Sequence, residues 1–465
     1  MSRRVLLSLV CLWAPLAAAE PLTLTQLIEL ARMKDGRVKS AESELRVLRG
    51  KYQEARWAWF PRIESTFAVA GPTPEARNDG LGGPPTTAAT YMYDLDFGQP
   101  GVMFRAEAQG VLPIYTFGKL DALSELGAKG VEVGQALQVR AQDEAELQVA
   151  QAYWGLQFAR AGKKSLEETL KRLEDADTTI KRLRAEQSEQ VTQMDVYKVE
   201  FFREQARSRG GAARAGESYA LAAIRLLIDQ PKGTLEIAEQ DIPEPAGSLP
   251  PVEALLGQAV LSRPEVKAID AGLGLRDREV FIRERMFLPD FGIAGFARWM
   301  WTTSTTRQRS PFAYDPYNDL SAGFALVGRY TWDFPIKAAQ LEQARAEYEK
   351  LERERELLLN AIRLEVSKAH ADLGDALERA SHQIEAEKSS RRWATSAFAA
   401  FDVGTADTRE LVDSFTALAV SSVEKGHAFH DVQVGLHTLT KAVGSPVALL
   451  PGPVKAPKSD ALQPK

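Results

Sequence analysis

His427, His430 and His437 come nearest to a reactive constellation, because separations of three and seven residues put the imidazoles roughly on one helix face. Imidazoles grouped in that way can hold a transition metal. No carboxylate follows them with metal-site spacing, so the expectation is a solvated or interchain face and no bound metal. The chain also carries no glycine-rich phosphate loop and no nucleophile elbow. Neither an enzyme nor a cofactor is predicted. A second group is acidic. Asp407-Thr408-Arg409-Glu410 has the form of a capping box, with Asp407 as N-cap and Glu410 at the third helical position. Asp413 shares that face but has no capping role. Thr192-Gln193-Met194-Asp195 has the look of a cap in the first half of the chain.

The elements that must position these groups are very long helices. No proline occurs between Thr116 and about Arg182, and Leu147, Val149, Tyr153, Trp154 and Leu156 recur at helical spacing. Such a helix would reach roughly 100 Å at 1.5 Å per residue. A second one is predicted from about Ile336 to Ala400. Its charged run Glu347 to Glu356 reads as a solvated face. Shorter helical segments are expected at Leu24 to Trp57, Met194 to Leu227, Pro251 to Met286 and Thr408 to Ala442. Helices of these lengths persist by packing along one another. The turns Glu186 to Gln190 and Asp402 to Ala406, which holds Gly404 and Thr405, are polar and would lie at a distal tip.

Between the helices are four segments of period two. Val102, Phe104, Ala106, Ala108 and Leu112 alternate with Arg105, Glu107 and Gln109, and about Arg62 to Ala70 does likewise. In the second half the strands hold Phe291, Ile293, Trp299 and Trp301, then Ala322, Phe324, Leu326, Tyr330 and Trp332. Each is about ten residues, the length of a tilted strand crossing an outer membrane, with aromatics where a girdle would sit. Four strands in lipid would leave two edges unsatisfied, so several chains must close one barrel together. Pro61, Pro113, Pro289 and Pro335 sit near the strand-helix junctions and can be read as the points where the period changes. Their role is architectural. The loops Gly71 to Gly101 and Thr302 to Asp319 are rich in glycine, proline, threonine and asparagine, as surface loops are.

The two halves repeat each other. Glu54 to Val69 corresponds to Ile282 to Ala297, the stretch Val111 to Lys119 to Arg329 to Lys337, and Val149-Ala152-Tyr153-Leu156 to Val366-Ala369-His370-Leu373. Repeats of this kind mean one supersecondary unit that cannot bury its apolar face alone. The expected organisation is a signal peptide over 1–19 and a first repeat over 20–230, with strands at about 62–70 and 102–113 and a long helix at about 116–182. A linker or equatorial segment, 231–250, follows. The second repeat spans 251–445, with strands at about 290–301 and 320–333 and a long helix at about 336–400, and a flexible tail covers 446–465.

Arg3 and Arg4, an apolar run from Val5 to Leu16 and Ala17-Ala18-Ala19 form the three zones of a secretory signal. Cleavage after Ala19 would remove Cys11, the single cysteine, and take the net charge from −5 to −7. A lipoprotein anchored at Cys11 would want a small residue where Val10 stands. No basic face suggests nucleic acid. No later apolar stretch approaches the roughly 20 residues of a membrane helix, so a span would have to be made of strands.

Over essentially the whole mature chain the sequence resembles the outer-membrane efflux protein family, the TolC-like export channels. The signatures are LTLTQLIELA (Leu22 to Ala31), LPIYTFGK (Leu112 to Lys119), VAQAYW (Val149 to Trp154) and, most specifically, FDVGTADTRELVDSFTAL (Phe401 to Leu418). The resemblance implies a mainly helical fold with a small β part. In it, a homotrimer gives four strands per chain to a twelve-stranded transmembrane barrel, continued by an α-barrel across the periplasm. It further implies an outer-membrane exit duct that docks a periplasmic membrane-fusion adaptor and an inner-membrane transporter or secretion ATPase. By position, Glu410 and Asp413 match acids that ring the constricted periplasmic entrance, and Asp195 stands in the corresponding first-half place. Ala406 and Pro335 depart from the family pattern. The competing reading of the same helices is a periplasmic coiled-coil tether without a pore.

Overall fold

A computed structural model describes residues 21–73, 101–186, 191–232, 235–303, 317–403 and 405–451. The expected signal peptide with Cys11, and Gly404, lie outside the described residues. The chain is mainly helical with one small antiparallel sheet. Its elements are α1 (Leu24–Lys34), α2 (Gly36–Arg56), β1 (Arg62–Thr73), β2 (Gly101–Tyr115), α3 (Lys119–Ala185) and α4 (Gln193–Leu227), then α5 (Val252–Ser262), α6 (Pro264–Arg285), β3 (Asp290–Thr302), β4 (Asp319–Arg329), α7 (Phe334–Asp402) and α8 (Thr408–Val443).

Two helices expected to be continuous are each broken once. Leu24 to Trp57 divides at Asp35, whose carboxylate accepts from the Arg37 backbone N–H at 2.8 Å and from its guanidinium. A side chain that bonds its own backbone two residues on competes with the helix and ends it. Pro251 to Met286 divides at Arg263, immediately before Pro264, a residue that biases its predecessor away from helical geometry.

The chain forms two compact units, one of residues up to Ser43, Ala136–Val266 and from Glu356 on, the other of Glu44–Gln135 and Lys267–Arg355. The first is helical. One core packs Leu27, Ala31, Val149, Tyr153, Leu156, Ile224 and Ile228 from α1, α3 and the end of α4. A second packs Leu255, Ile362, Val366, Leu373, Val432 and Leu439 from α5, α7 and α8. The segment after α4 is pinned to this unit: Gln157 donates to the Ala238 carbonyl at 2.8 Å, Arg160 to that of Ile237, and Leu22 bridges Ile237. Residues 446–451 of the expected flexible tail are held as well, through reciprocal Ser248–Leu450 backbone bonds. Gly444 closes α8 in the left-handed region, φ 74°, where a Cβ would stand 2.9 Å from the Arg263 Cα. Arg263, buried there, pairs with Glu265 and Glu365 and donates to the Ala442 carbonyl.

The second unit holds the sheet, ordered β1-β2-β3-β4 with every neighbouring pair antiparallel. Pro61 and Pro289 immediately precede β1 and β3. Pro113, expected near a junction, lies inside β2 close to its end at Tyr115, at a register shift beyond the reach of β1, where only β3 pairs. A proline is tolerated there because one side of the strand needs no N–H. Pro335 is the second residue of α7, in the first turn, where a helix has no use for that N–H.

Candidate channel site

Register decides which side chains share a face of the sheet. Ile63, Phe67 and Val69 of β1 stand beside Gly110, Ala106 and Phe104 of β2. The same row continues through Ile293, Ala297, Trp299 and Trp301 of β3 to Leu320, Ala322, Phe324 and Leu326 of β4. This face carries no charge. It is also open: Phe67 is 81 % exposed, Phe324 86 % and Leu320 79 %. A contiguous exposed apolar face of this size marks a surface meant for lipid or for a partner. The opposite face holds Arg62, Glu64, Arg105, Glu107, Arg298 and Asp319, with ion pairs Arg105–Glu107 at 2.6 Å and Arg298–Asp319 at 2.7 Å. β1 and β4 form the two edges, and neither has a strand beyond it among the described residues.

Aromatic rings collect at both ends of this sheet. At the helical end are Trp57, Trp59 and Phe60, then Tyr115, Phe117 and Phe291, then Tyr330, Trp332 and Phe334, each group in ring contact. At the loop end Trp301 stacks on Phe104 at 5.6 Å. From Phe291 to Trp301 a strand rises about 33 Å. Tilted by about 40°, it spans roughly 25 Å, the height of a barrel's apolar band. Two lysines that sequence reasoning passed over are held at the helical end. Lys119 meets Asp290 at 2.8 Å and donates to the Leu288 carbonyl. Its counterpart Lys337 meets Asp333 at 2.9 Å, donates to the Thr331 carbonyl and lies over the Tyr330 ring. Their only signal was the shared last residue of the two repeated stretches.

The ends of α3, α4, α7 and α8 that flank the polar turns meet in the first unit on a core of Leu173, Ile180, Val196, Val199, Phe401, Leu411, Val412 and Phe415, while residues 187–190 of the first turn lie outside the described residues. Asp407 caps α8, accepting from the Glu410 N–H at 2.8 Å. The expected capping box stops halfway, because the Glu410 carboxylate accepts from the Trp393 indole at 2.6 Å. Asp413 is exposed and 3.7 Å from the Arg409 guanidinium. Thr405 folds the turn, its N–H and hydroxyl both donating to the Ala400 carbonyl. Asp195 differs: it is 8 % exposed and accepts from the N–H and the hydroxyl of Thr192 and from Lys198. Burial pushes its pKa up, but the hydrogen bonds from Thr192 and Lys198 prevail and hold it below the ordinary carboxylate range. Arg182 reaches Asp402 at 3.5 Å, an ion pair between the ends of α3 and α7.

The three histidines do not converge. His427 and His430 share Asp431, at 3.3 and 3.2 Å, beside Arg379, which meets the same carboxylate at 3.1 Å. His437 stands apart, its pKa lowered by burial. No group of His, Cys, Asp or Glu suited to a metal occurs among the described residues. Among the same residues no helix is long and apolar enough to cross a membrane.

No family model matches this chain, and no curated protein matches its sequence. Solved structures do match its shape. The channel-forming CusC superimposes with a TM-score of 0.72 at 18% identity, covering 91% of this chain and 92% of that one. The open-state outer membrane channel MtrE of Neisseria gonorrhoeae gives 0.72 at 16%, covering 91% and 89%. The outer membrane protein VceC of Vibrio cholerae gives 0.69 at 14%, covering 91% and 96%. The fold is that of these outer-membrane channel proteins.

Proposed function

We propose that this chain is the outer-membrane exit duct of a tripartite efflux or type I secretion system, passing substrates from a periplasm-spanning assembly to the cell exterior. The observation that carries it is the open four-stranded sheet with one uncharged, exposed face and aromatic rings at both ends. Unpaired edges are not tolerated in hydrocarbon. Each α-α-β-β-α-α run is one structural repeat, and three copies close twelve strands into a barrel continued by helices in the periplasm. The number three comes from the family resemblance, and the likeness to the outer membrane channel MtrE supports the channel reading.

Glu410 and Asp413 line the periplasmic entrance in this reading, six carboxylates in a trimer, and favour cations. Conduction is passive. Energy comes from an inner-membrane transporter or ATPase, reached through a periplasmic adaptor. A coiled-coil tether would have no use for an apolar sheet face of this extent. Planar-bilayer recording of the purified trimer tests the duct: cation-selective channels are expected, enlarged when Glu410 and Asp413 are both replaced by alanine. Silence from that variant would refute it. Labelling of a cysteine placed between Gly71 and Gly101 on intact cells is the second check, and a tether leaves it unlabelled.

A further inference from the structure

The internal repeat specifies how two copies join, given the trimer proposed above. Within one chain the repeats meet at the β2–β3 seam, where Val111 pairs with Ala294. Between chains the equivalent seam is β4 of one copy against β1 of the next. Val111 and Arg329 are the first residues of the matched stretches that end at Lys119 and Lys337. Ala294 and Thr66 each lie five residues past the proline that precedes their strand, Pro289 and Pro61. The β2–β3 register therefore transfers as Arg329 opposite Thr66 of the neighbour.

An independent check is facing. A one-residue slip would turn apolar side chains to the wrong side. In the transferred register Arg329 and Thr66 both belong to the charged face, since Arg329 pairs with Asp290 and Thr66 with Glu107. Phe324, Leu326, Phe67 and Val69 then stay on the other side together.

Charge supplies the second argument. On the two inner strands the basic and acidic residues are paired within the chain, as Arg105–Glu107 and as Arg298 with Asp319 across to β4. On the edges, Arg62 and Glu64 of β1 and Arg329 of β4 are exposed and find no partner among the described residues. The transferred register sets Glu64 two residues from Thr66, diagonal to Arg329. Diagonal neighbours lie about 7–8 Å apart at their backbones, within reach of long side chains.

We propose that neighbouring copies close the barrel along a β4–β1 seam with Arg329 opposite Thr66, held on the lumenal face by an interchain Arg329–Glu64 ion pair. With Cys11 in the expected signal segment, cysteines introduced in the seam react only with each other. Thr66→Cys with Arg329→Cys is expected to run as a covalent trimer after mild oxidation. Thr66→Cys with Val327→Cys, slipped by one face repeat, is expected to stay largely monomeric in denaturant. Glu64→Arg or Arg329→Glu alone should lower the temperature at which the detergent-extracted trimer dissociates, and the two together should recover most of the loss. Preferential cross-linking through Val327, or single reversals without effect, would overturn the seam while a trimeric mass leaves the channel reading standing. A monomeric mass for the purified wild-type particle would overturn both.

Discussion

The two polar turns place an acid at the third position of the helix that follows, yet the two acids are used differently. Asp195 opens α4, buried and bonded three ways, while Glu410 opens α8 with its backbone capped by Asp407 and its carboxylate drawn to Trp393. A carboxylate consumed by its own helix holds the turn together. In the duct proposed above, one released from that task can instead face the opening.

The largest expected effect separates the two. Asp195→Ala removes the reciprocal half of the Thr192 cap and the carboxylate that Lys198 meets at 3.3 Å, and a loss of about 2 kcal/mol in unfolding stability is expected. Because the Asp195 pKa is lowered, its contribution is present above the ordinary carboxylate range and is lost as pH falls through the depressed value. Denaturation of the variant and the wild type over a pH series from 7 downward checks both parts, and a difference that does not shrink as the pH falls below the ordinary carboxylate range would contradict the donor account.

Asp143 sharpens the contrast, as a partly buried carboxylate without such donors. Burial pushes its pKa up to about 6, with Arg32 pulling it down and Glu146 and Glu265 pushing it further up. The sign is opposite to that of Asp195: its contribution is full below the ordinary carboxylate range and is lost as pH rises through about 6. Such a shift corresponds to about 3 kcal/mol unscreened. Solvent at this partly exposed side chain reduces it to about 1 kcal/mol. Asp143→Asn should therefore be more stable than wild type at pH 8 and indistinguishable from it near pH 4, read as thermal midpoints.

Asp407→Ala should cost about 1 kcal/mol as an ordinary N-cap loss. Smallest in stability are Glu410→Gln and Asp413→Asn, expected within about 0.5 kcal/mol of wild type as exposed side chains. Their readout is the reversal potential in a salt gradient, which should move toward zero. Comparable destabilisation by Asp195→Ala and Glu410→Ala would erase the distinction between the turns.

Much of this was legible in the residues. Proline-free stretches with helical spacing announced α3 and α7, and period-two alternation announced the sheet and both of its faces. The break at Asp35 was not seen, although Asp35-Gly36 is a turn-forming pair. Pro264 likewise marked the break at Arg263. The caps were legible because capping is local. The diversion of Glu410 was not, because Trp393 comes from another helix, 17 residues away. Nor did composition show that residues 237–240 are fixed to α3, since Gln157 and Arg160 act there on backbone groups.

Lys119 and Lys337, each fastened to an aspartate where sheet gives way to helix, also mark a level along the sheet. Dragging those ammonium groups and their partners through hydrocarbon would strip them of water at a cost of several kcal/mol per ion. In the barrel proposed above, these anchors would therefore keep the helical end of the sheet at the water boundary and limit how deep the strands can sink.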